Sequence, residues 1–140
     1  MITVTVGEKE SFEKAVNTGQ REKSVRNCRM VGSEQETRVQ EYLQEQGYEI
    51  LARNFYTRHG EIDIIARKDG YLVFVEVKYR SDERFGAPEE AVNHRKQQKI
   101  LAAAKYYMYK NRISFDTPCR FDVAGVYGDK IRLTENAFWM

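Results

Sequence analysis

Gly60-Glu61-Ile62-Asp63-Ile64-Ile65-Ala66-Arg67-Lys68-Asp69-Gly70-Tyr71-Leu72-Val73-Phe74-Val75-Glu76-Val77-Lys78-Tyr79-Arg80 is two runs rich in β-branched and aromatic residues joined by Asp-Gly. That dipeptide between such runs is the strongest short-range signal for a β-hairpin. A two-residue Asp69-Gly70 turn sets Lys68 opposite Tyr71, and the same register carried outward sets Asp63 opposite Glu76 and Glu61 opposite Lys78. Directly opposed residues have Cβ atoms about 4.5–5.5 Å apart, and like charges placed there destabilise a sheet. Side chains alternate along a strand, so Glu61, Asp63, Glu76 and Lys78 are expected on one face, with Ile62, Ile64, Val75 and Val77 on the other. Two carboxylates facing each other within apolar strands must protonate, reach water or bind a cation.

A divalent cation is the chemically informative option. Mg²⁺ takes carboxylate oxygens while keeping waters and substrate phosphate oxygens as its other ligands, which is what a metal-dependent phosphodiesterase requires. Lys78 would put a compact positive charge beside it, suited to a developing phosphate charge or to deprotonating an attacking water. The alternative is an edge hairpin whose polar face meets solvent, with Glu61 and Lys78 as an ordinary cross-strand pair.

Outward from the hairpin the pattern is regular. Ser33 and Glu36 read as a capping box, and Val39, Tyr42, Leu43 and Gln46 trace one helical face until Gly47 ends it. An extended segment follows from Tyr48 through Tyr56. After the hairpin, Pro88 suits the first turn of a helix, and Ala91, Val92, Ile100, Ala103, Ala104 and Tyr107 carry helical spacing to about Lys110, with Asn93-His94 as a point of interruption. Arg120 to Tyr127 and Lys130 to Leu133 flank Gly128-Asp129, a second hairpin. The order is α-β-β-β-α-β-β, which predicts an α/β fold with a mixed central sheet flanked by helices.

The chain has 140 residues, 41% hydrophobic and 31% charged, enough apolar material for one core and too little length for a second catalytic domain. Residues 1–31 read as an N-terminal tail or appendage, and 32–140 as the domain. No apolar run approaches a membrane span and no basic-then-apolar leader opens the chain, so a soluble cytoplasmic protein is expected. Cys28 and Cys119 stand far apart, outside any CxxC or Cys/His cluster, so neither a disulfide framework nor a zinc site is expected. The net charge of +2 says little, but residues 50–112 hold 13 Lys or Arg against 8 Asp or Glu. With the three hairpin acids set aside, that surface leans basic. The absence of a GxxxxGK[ST] loop, a serine nucleophile elbow or a supported Cys/His pair argues against ATP-driven or acyl-transfer chemistry.

Gly60-Glu61-Ile62-Asp63-Ile64-Ile65-Ala66 followed by Phe74-Val75-Glu76-Val77-Lys78-Tyr79-Arg80 resembles the bipartite signature of the PD-(D/E)XK nuclease superfamily. With Gly47-Tyr48, Arg53-Asn54, Gly86, Lys96 and Arg120-Phe121-Asp122, the stretch from about Gly32 to Phe138 resembles the YraN-like family of small bacterial proteins, similar to the archaeal Holliday junction resolvases. The resemblance implies a restriction-endonuclease-like core. It makes Asp63 and Glu76 metal ligands, the Val77 backbone carbonyl a third, and Lys78 the catalytic lysine. Glu36 matches the acid that completes the metal site in related resolvases, beside its simpler reading as a capping residue. Gln35 stands where many relatives have glycine.

Further candidates are less specific. Lys96 lies on the core-facing edge of the long helix and is either a phosphate contact or a lysine whose stem covers the core. Arg53, Arg58 and Arg80 are candidates for phosphate binding or ordinary surface arginines. Asp122 reads as a structural acid paired with Arg120 or a nearby loop, or else as a site residue, His59 as a solvated loop residue or a phosphate contact, and Tyr106, Tyr107 and Tyr109 as core packing and an exposed helix face or as base stacking. The expectation is a Mg²⁺- or Mn²⁺-dependent endonuclease acting on DNA, with branched or structured DNA as substrate; symmetric cutting of a four-way junction would require a homodimer. Two other classes remain: a nucleic-acid-binding module of nuclease-like fold without turnover, and an interaction protein whose acids are merely solvated.

Overall fold

The computed structural model of the protein describes residues 33–80 and 92–139, together with the backbone of Thr3–Val4. Its elements are β1 (Thr3–Val4), α1 (residues 33–45), β2 (Glu49–Tyr56), β3 (Glu61–Lys68), β4 (Tyr71–Arg80), α2 (His94–Lys110), β5 (Cys119–Tyr127) and β6 (Lys130–Phe138). From α1 onward this is the predicted α-β-β-β-α-β-β order. The strands form one mixed sheet in the order β1-β2-β3-β4-β5-β6, in which β1 is parallel to β2, β4 is parallel to β5, and the other neighbours are antiparallel. It is an α/β core of restriction-endonuclease-like type. Two residues of the presumed tail thus join the sheet edge; residues 5–32, including Cys28, lie outside the described residues.

Local chemistry explains the breaks. Gly47 ends α1 at φ 90°, a left-handed conformation that only glycine adopts freely, and the Tyr48 N–H closes the turn on the Leu43 carbonyl at 2.9 Å. Asp69 (φ 51°) and Gly70 (φ 82°) are both left-handed, as a type I′ hairpin turn demands. The predicted register follows: Lys68↔Tyr71, Arg67↔Leu72, Ala66↔Val73, Ile65↔Phe74 and Ile64↔Val75 are paired.

The sheet buries a cluster on each face. Against α2 lie Phe55, Phe74, Phe121 and Phe138 of the sheet, packed on Ile100, Tyr107 and Met108 of the helix. The Phe74 and Phe121 rings stack at 5.3 Å, and Tyr107 meets Phe74 edge-on at 6.2 Å. Against α1, whose Val39 and Leu43 are fully buried, lie Ile64, Val73, Val75, Ala124 and Val126.

The structure departs from the sequence reading at four places. The helix expected from Pro88 begins at His94, because the Asn93 side chain caps it by accepting the Lys96 N–H at 2.9 Å; Val92 is not helical, and 81–91, with Gly86 and Pro88, lie outside the described residues. Ser33 is already within α1 rather than ahead of it. The last strand runs on to Phe138, five residues past Leu133. Finally, the β3–β4 ladder ends at Ile64↔Val75, so the oppositions extrapolated for Asp63 with Glu76 and Glu61 with Lys78 fall beyond it.

Candidate functional site

The end of that ladder makes the site. Past Ile64↔Val75, the Val77 N–H donates to Asp63 Oδ2 at 2.8 Å, so a side chain takes a backbone donor where the hairpin stops pairing. Directly across β2, between the pairs Arg53↔Ile64 and Phe55↔Ile62, Asn54 has φ 50°. Asparagine tolerates this left-handed kink better than most residues. Strict alternation along β3 fails at the same point: Ile62 packs with the α2-side cluster and Ile64 with the α1-side cluster. The single polar face expected for the hairpin is therefore interrupted at Asp63.

Asp63 and Glu76 are both buried. Burial is the main cause that raises the Asp63 carboxyl well above the ordinary aspartate range; the charge of Glu76 adds to it, the Val77 N–H opposes it, and Glu36 and Glu61 contribute further like charge. Glu76, whose side chain is 5% exposed, has two ammonium groups on one oxygen: Lys78 Nζ at 3.4 Å and Lys96 Nζ at 3.5 Å from Oε1. Its other oxygen, Oε2, is buried with no hydrogen-bond partner among the described residues. A buried carboxylate oxygen left bare costs the desolvation of a charged acceptor, a cost that a water, an ion or another donor would relieve.

Three elements bring these groups together. β3 supplies Asp63 and β4 supplies Glu76 and Lys78, while Lys96 comes from the first turn of α2, where the Asn93 cap holds its backbone. Gly60 sets how closely α2 approaches: a Cβ there would lie 2.9 Å from the Lys99 carbonyl oxygen and 3.0 Å from its Cβ. Thr57 shapes the turn before Gly60, its Oγ accepting from the His59 and Gly60 N–H groups at 3.0 and 3.1 Å. Only a residue without a side chain lets this turn sit on the helix that carries Lys96.

The donor set fits a hard divalent cation. Asp63 and Glu76 offer carboxylate oxygens, one of them bare, and Mg²⁺ is commonly held by one or two carboxylates with waters and substrate phosphates completing its shell. Among the described residues no three His, Cys, Asp or Glu side chains gather as a metal cage.

A family model described as "Uncharacterised protein family UPF0102" matches residues 35–126, spanning α1 to β5 and all of these groups. The chain belongs to the UPF0102 family. A UPF0102 protein of Lachnoclostridium phytofermentans is 54% identical over 112 residues, covering 80% of this chain and 95% of that protein. One of Acetivibrio thermocellus is 48% identical over 122 residues, covering 80% and 93%. One of Thermodesulfovibrio yellowstonii is 44% identical over 109 residues, covering 78% and 96%. This is the YraN-like family that the two motifs resembled.

The other candidates divide. In this UPF0102 chain Glu36 pairs with Arg53 at 3.7 Å and acts on Asp63 as a nearby like charge, and Arg53 also donates to Gln40 Oε1 at 3.0 Å. Arg58 and His59 are exposed on the turn before Gly60. Arg80, at the end of β4, is half-buried with a buried Nε that has no hydrogen-bond partner among the described residues. Asp122 is fully buried and held by Arg120, as read from the sequence. Tyr107 belongs to the core, whereas Tyr106 and Tyr109 are exposed. Sequence reasoning quoted Asn54 only within the family resemblance and missed its left-handed kink, as it missed the packing role of Gly60. An Arg-Asn pair inside an otherwise apolar strand and a glycine directly before it restarts were the available signals. Cys119 carries a free thiol, and no helix among the described residues is long and apolar enough to cross a membrane.

Proposed function

We propose that this protein is a Mg²⁺- or Mn²⁺-dependent endonuclease that hydrolyses phosphodiester bonds in DNA, with branched or otherwise structured DNA such as four-way junctions as its substrate. The observation that carries the reading is Glu76: a buried carboxylate with one oxygen bare, beside buried Asp63 and under two lysines. Asp63, Glu76 and the Val77 carbonyl would hold the cation, with Glu36 contributing charge nearby. When bound, the cation supplies the positive charge that polarises the phosphate and acidifies the attacking water. Asp63 and Glu76 orient it, Lys78 offsets the negative charge that develops on phosphorus-bound oxygen, and the basic surface around Arg53, Arg58 and Arg80 meets the flanking phosphates. Cutting both strands of a junction symmetrically calls for two sites, hence a homodimer.

The test is cleavage of labelled four-way junction, flap, single-strand and duplex DNA with Mg²⁺ or Mn²⁺, comparing the native chain with Asp63→Asn and Lys78→Ala. Metal-dependent cutting by the native protein, reduced at least about a hundredfold in both variants, is the expected result. No cutting of any substrate with binding retained would replace the reading by a nucleic-acid-binding module. Affinity that stays flat as salt rises would remove the nucleic-acid role altogether.

A further inference from the structure

The proposed chemistry uses one lysine, and the structure has two. Lys78 and Lys96 reach the same oxygen of Glu76 from different elements, at 3.4 and 3.5 Å, while the second oxygen is bare. Lys78 is anchored on the strand that carries Glu76 itself. Lys96 arrives from α2, across the seam that Gly60 keeps narrow, and its side chain, 30% exposed against 27% for Lys78, is equally open to water and ligands. Two ammonium groups balance the charges of Asp63 and Glu76 when both acids are ionised. Once a dication occupies the same carboxylates that balance is overshot, and the lysine that comes from a separate element is the one freer to leave Glu76.

Resting on the nuclease reading, we infer that Lys96 is the stand-in counter-ion for the metal at Glu76 and that, once the metal displaces it, its ammonium passes to a phosphate of the bound DNA. The four carbons of a lysine stem allow such a swing while the backbone stays fixed at the Asn93 cap. Lys96 therefore opposes the metal and supports the substrate, and its contribution to DNA binding exists only when metal is present. A lysine that merely lies on a basic surface lacks that dependence.

The experiment uses the full-length chain and three variants: Lys96→Met, Lys96→Gln and, as a control on the exposed side of the same helix, Lys105→Met. Calorimetric titration with Mn²⁺ alone measures the metal. Fluorescence anisotropy measures a labelled four-way junction, once without divalent ions and once with Ca²⁺ in place of Mn²⁺. Lys96→Met and Lys96→Gln should bind Mn²⁺ about threefold to tenfold more tightly than the native chain, the scale of a partly exposed ion pair. Their DNA affinity should fall about fivefold with Ca²⁺ and stay within about twofold without it. Lys105→Met should leave the metal titration within about twofold of native. Unchanged or weakened Mn²⁺ binding in both Lys96 variants, or an equal loss of DNA affinity with and without Ca²⁺, would overturn the assignment while leaving the nuclease reading intact. A native chain that binds no Mn²⁺ would overturn both. Thermal melting of each variant separates these outcomes from loss of fold.

Discussion

Two acids sit one register step apart in the middle of the sheet, Asp122 beside Val75 and Glu76 beside Val123, and they are treated in opposite ways. Asp122 lies on the strand face shared with Ala124 and Val126, toward α1, and is fully buried. Its Oδ1 accepts from Arg120 Nε and from the Asn136 N–H, both at 2.9 Å, and its Oδ2 accepts from Arg120 Nη2 at 2.9 Å. Arg120 Nη2 also donates to the Tyr48 hydroxyl at 2.6 Å, and that hydroxyl lies 3.4 Å from Asp122 Oδ2 and 3.3 Å from Glu135 Oε1. Burial, followed by the Asp122 charge, raises the Tyr48 hydroxyl pKa, so it stays a neutral donor. On the opposite face Glu76 keeps a bare oxygen and Asp63 is held in a site hostile to its charge. An acid with every lone pair answered is structure; an acid buried with one oxygen unanswered carries a cost that a ligand would relieve.

The sharpest way to break this comparison is to remove the satisfied acid. Asp122→Ala strands the Arg120 guanidinium, the Asn136 N–H and the Tyr48 hydroxyl in the interior, and should cost about 3–5 kcal/mol in chemical denaturation. A loss below about 1 kcal/mol would mean that the clip contributes little. Next in size, Gly60→Ala pushes the 57–60 turn off α2 at Lys99 and should cost about 1–3 kcal/mol. Because the strain falls at the seam carrying Lys96, Mn²⁺ binding should change too, whereas Gly70→Ala, with open space around its Cβ, should lower stability through its left-handed turn and leave Mn²⁺ binding alone. Equal behaviour of the two variants in the metal titration would refute the seam.

The smallest effect has the opposite sign. The Asp63 carboxyl binds its proton more tightly folded than unfolded, so ionised Asp63 weakens the fold: its contribution is fully present below the ordinary aspartate value of 3.8 and is lost as pH rises through the higher folded value. Asp63→Asn keeps an acceptor for the Val77 N–H and removes the charge. In the absence of divalent ions it should melt several degrees above the native chain at about pH 8, with the gain shrinking toward about pH 4. Added Mn²⁺ should raise the native midpoint and leave that of the variant in place. An Asp63→Asn variant less stable than native at neutral pH would contradict this account of the site.

Much of the fold was legible along the chain because its signals are local. Asp69-Gly70 dictates a type I′ turn through the backbone conformations it tolerates, and the turn dictates the register as far as Ile64 and Val75. Gly47 ends α1 for the same kind of reason. The extrapolation failed at Asp63, where a side chain captured the Val77 N–H, a competition that no strand pattern reports. The helix boundary at His94 turned on Asn93, whose cap competes with the helical spacing running through Val92. Asp122 with Arg120 was readable because the two lie two residues apart on one strand face; the Tyr48 and Glu135 parts of the clip come from distant segments.

By itself, the sequence determined the element order from α1 onward, the hairpin, the two acids and lysine of the motif, and the family, since each depends on neighbours in the chain or on a motif of fixed spacing. Tertiary structure alone decided that Lys96 reaches Glu76, that Gly60 lies against Lys99, and that one carboxylate oxygen stays bare while Asp122 is saturated. Those facts depend on how closely α2 packs against β3 and β4 and on which donors that packing delivers. Contacts between residues tens of positions apart have no periodicity through which a sequence could announce them.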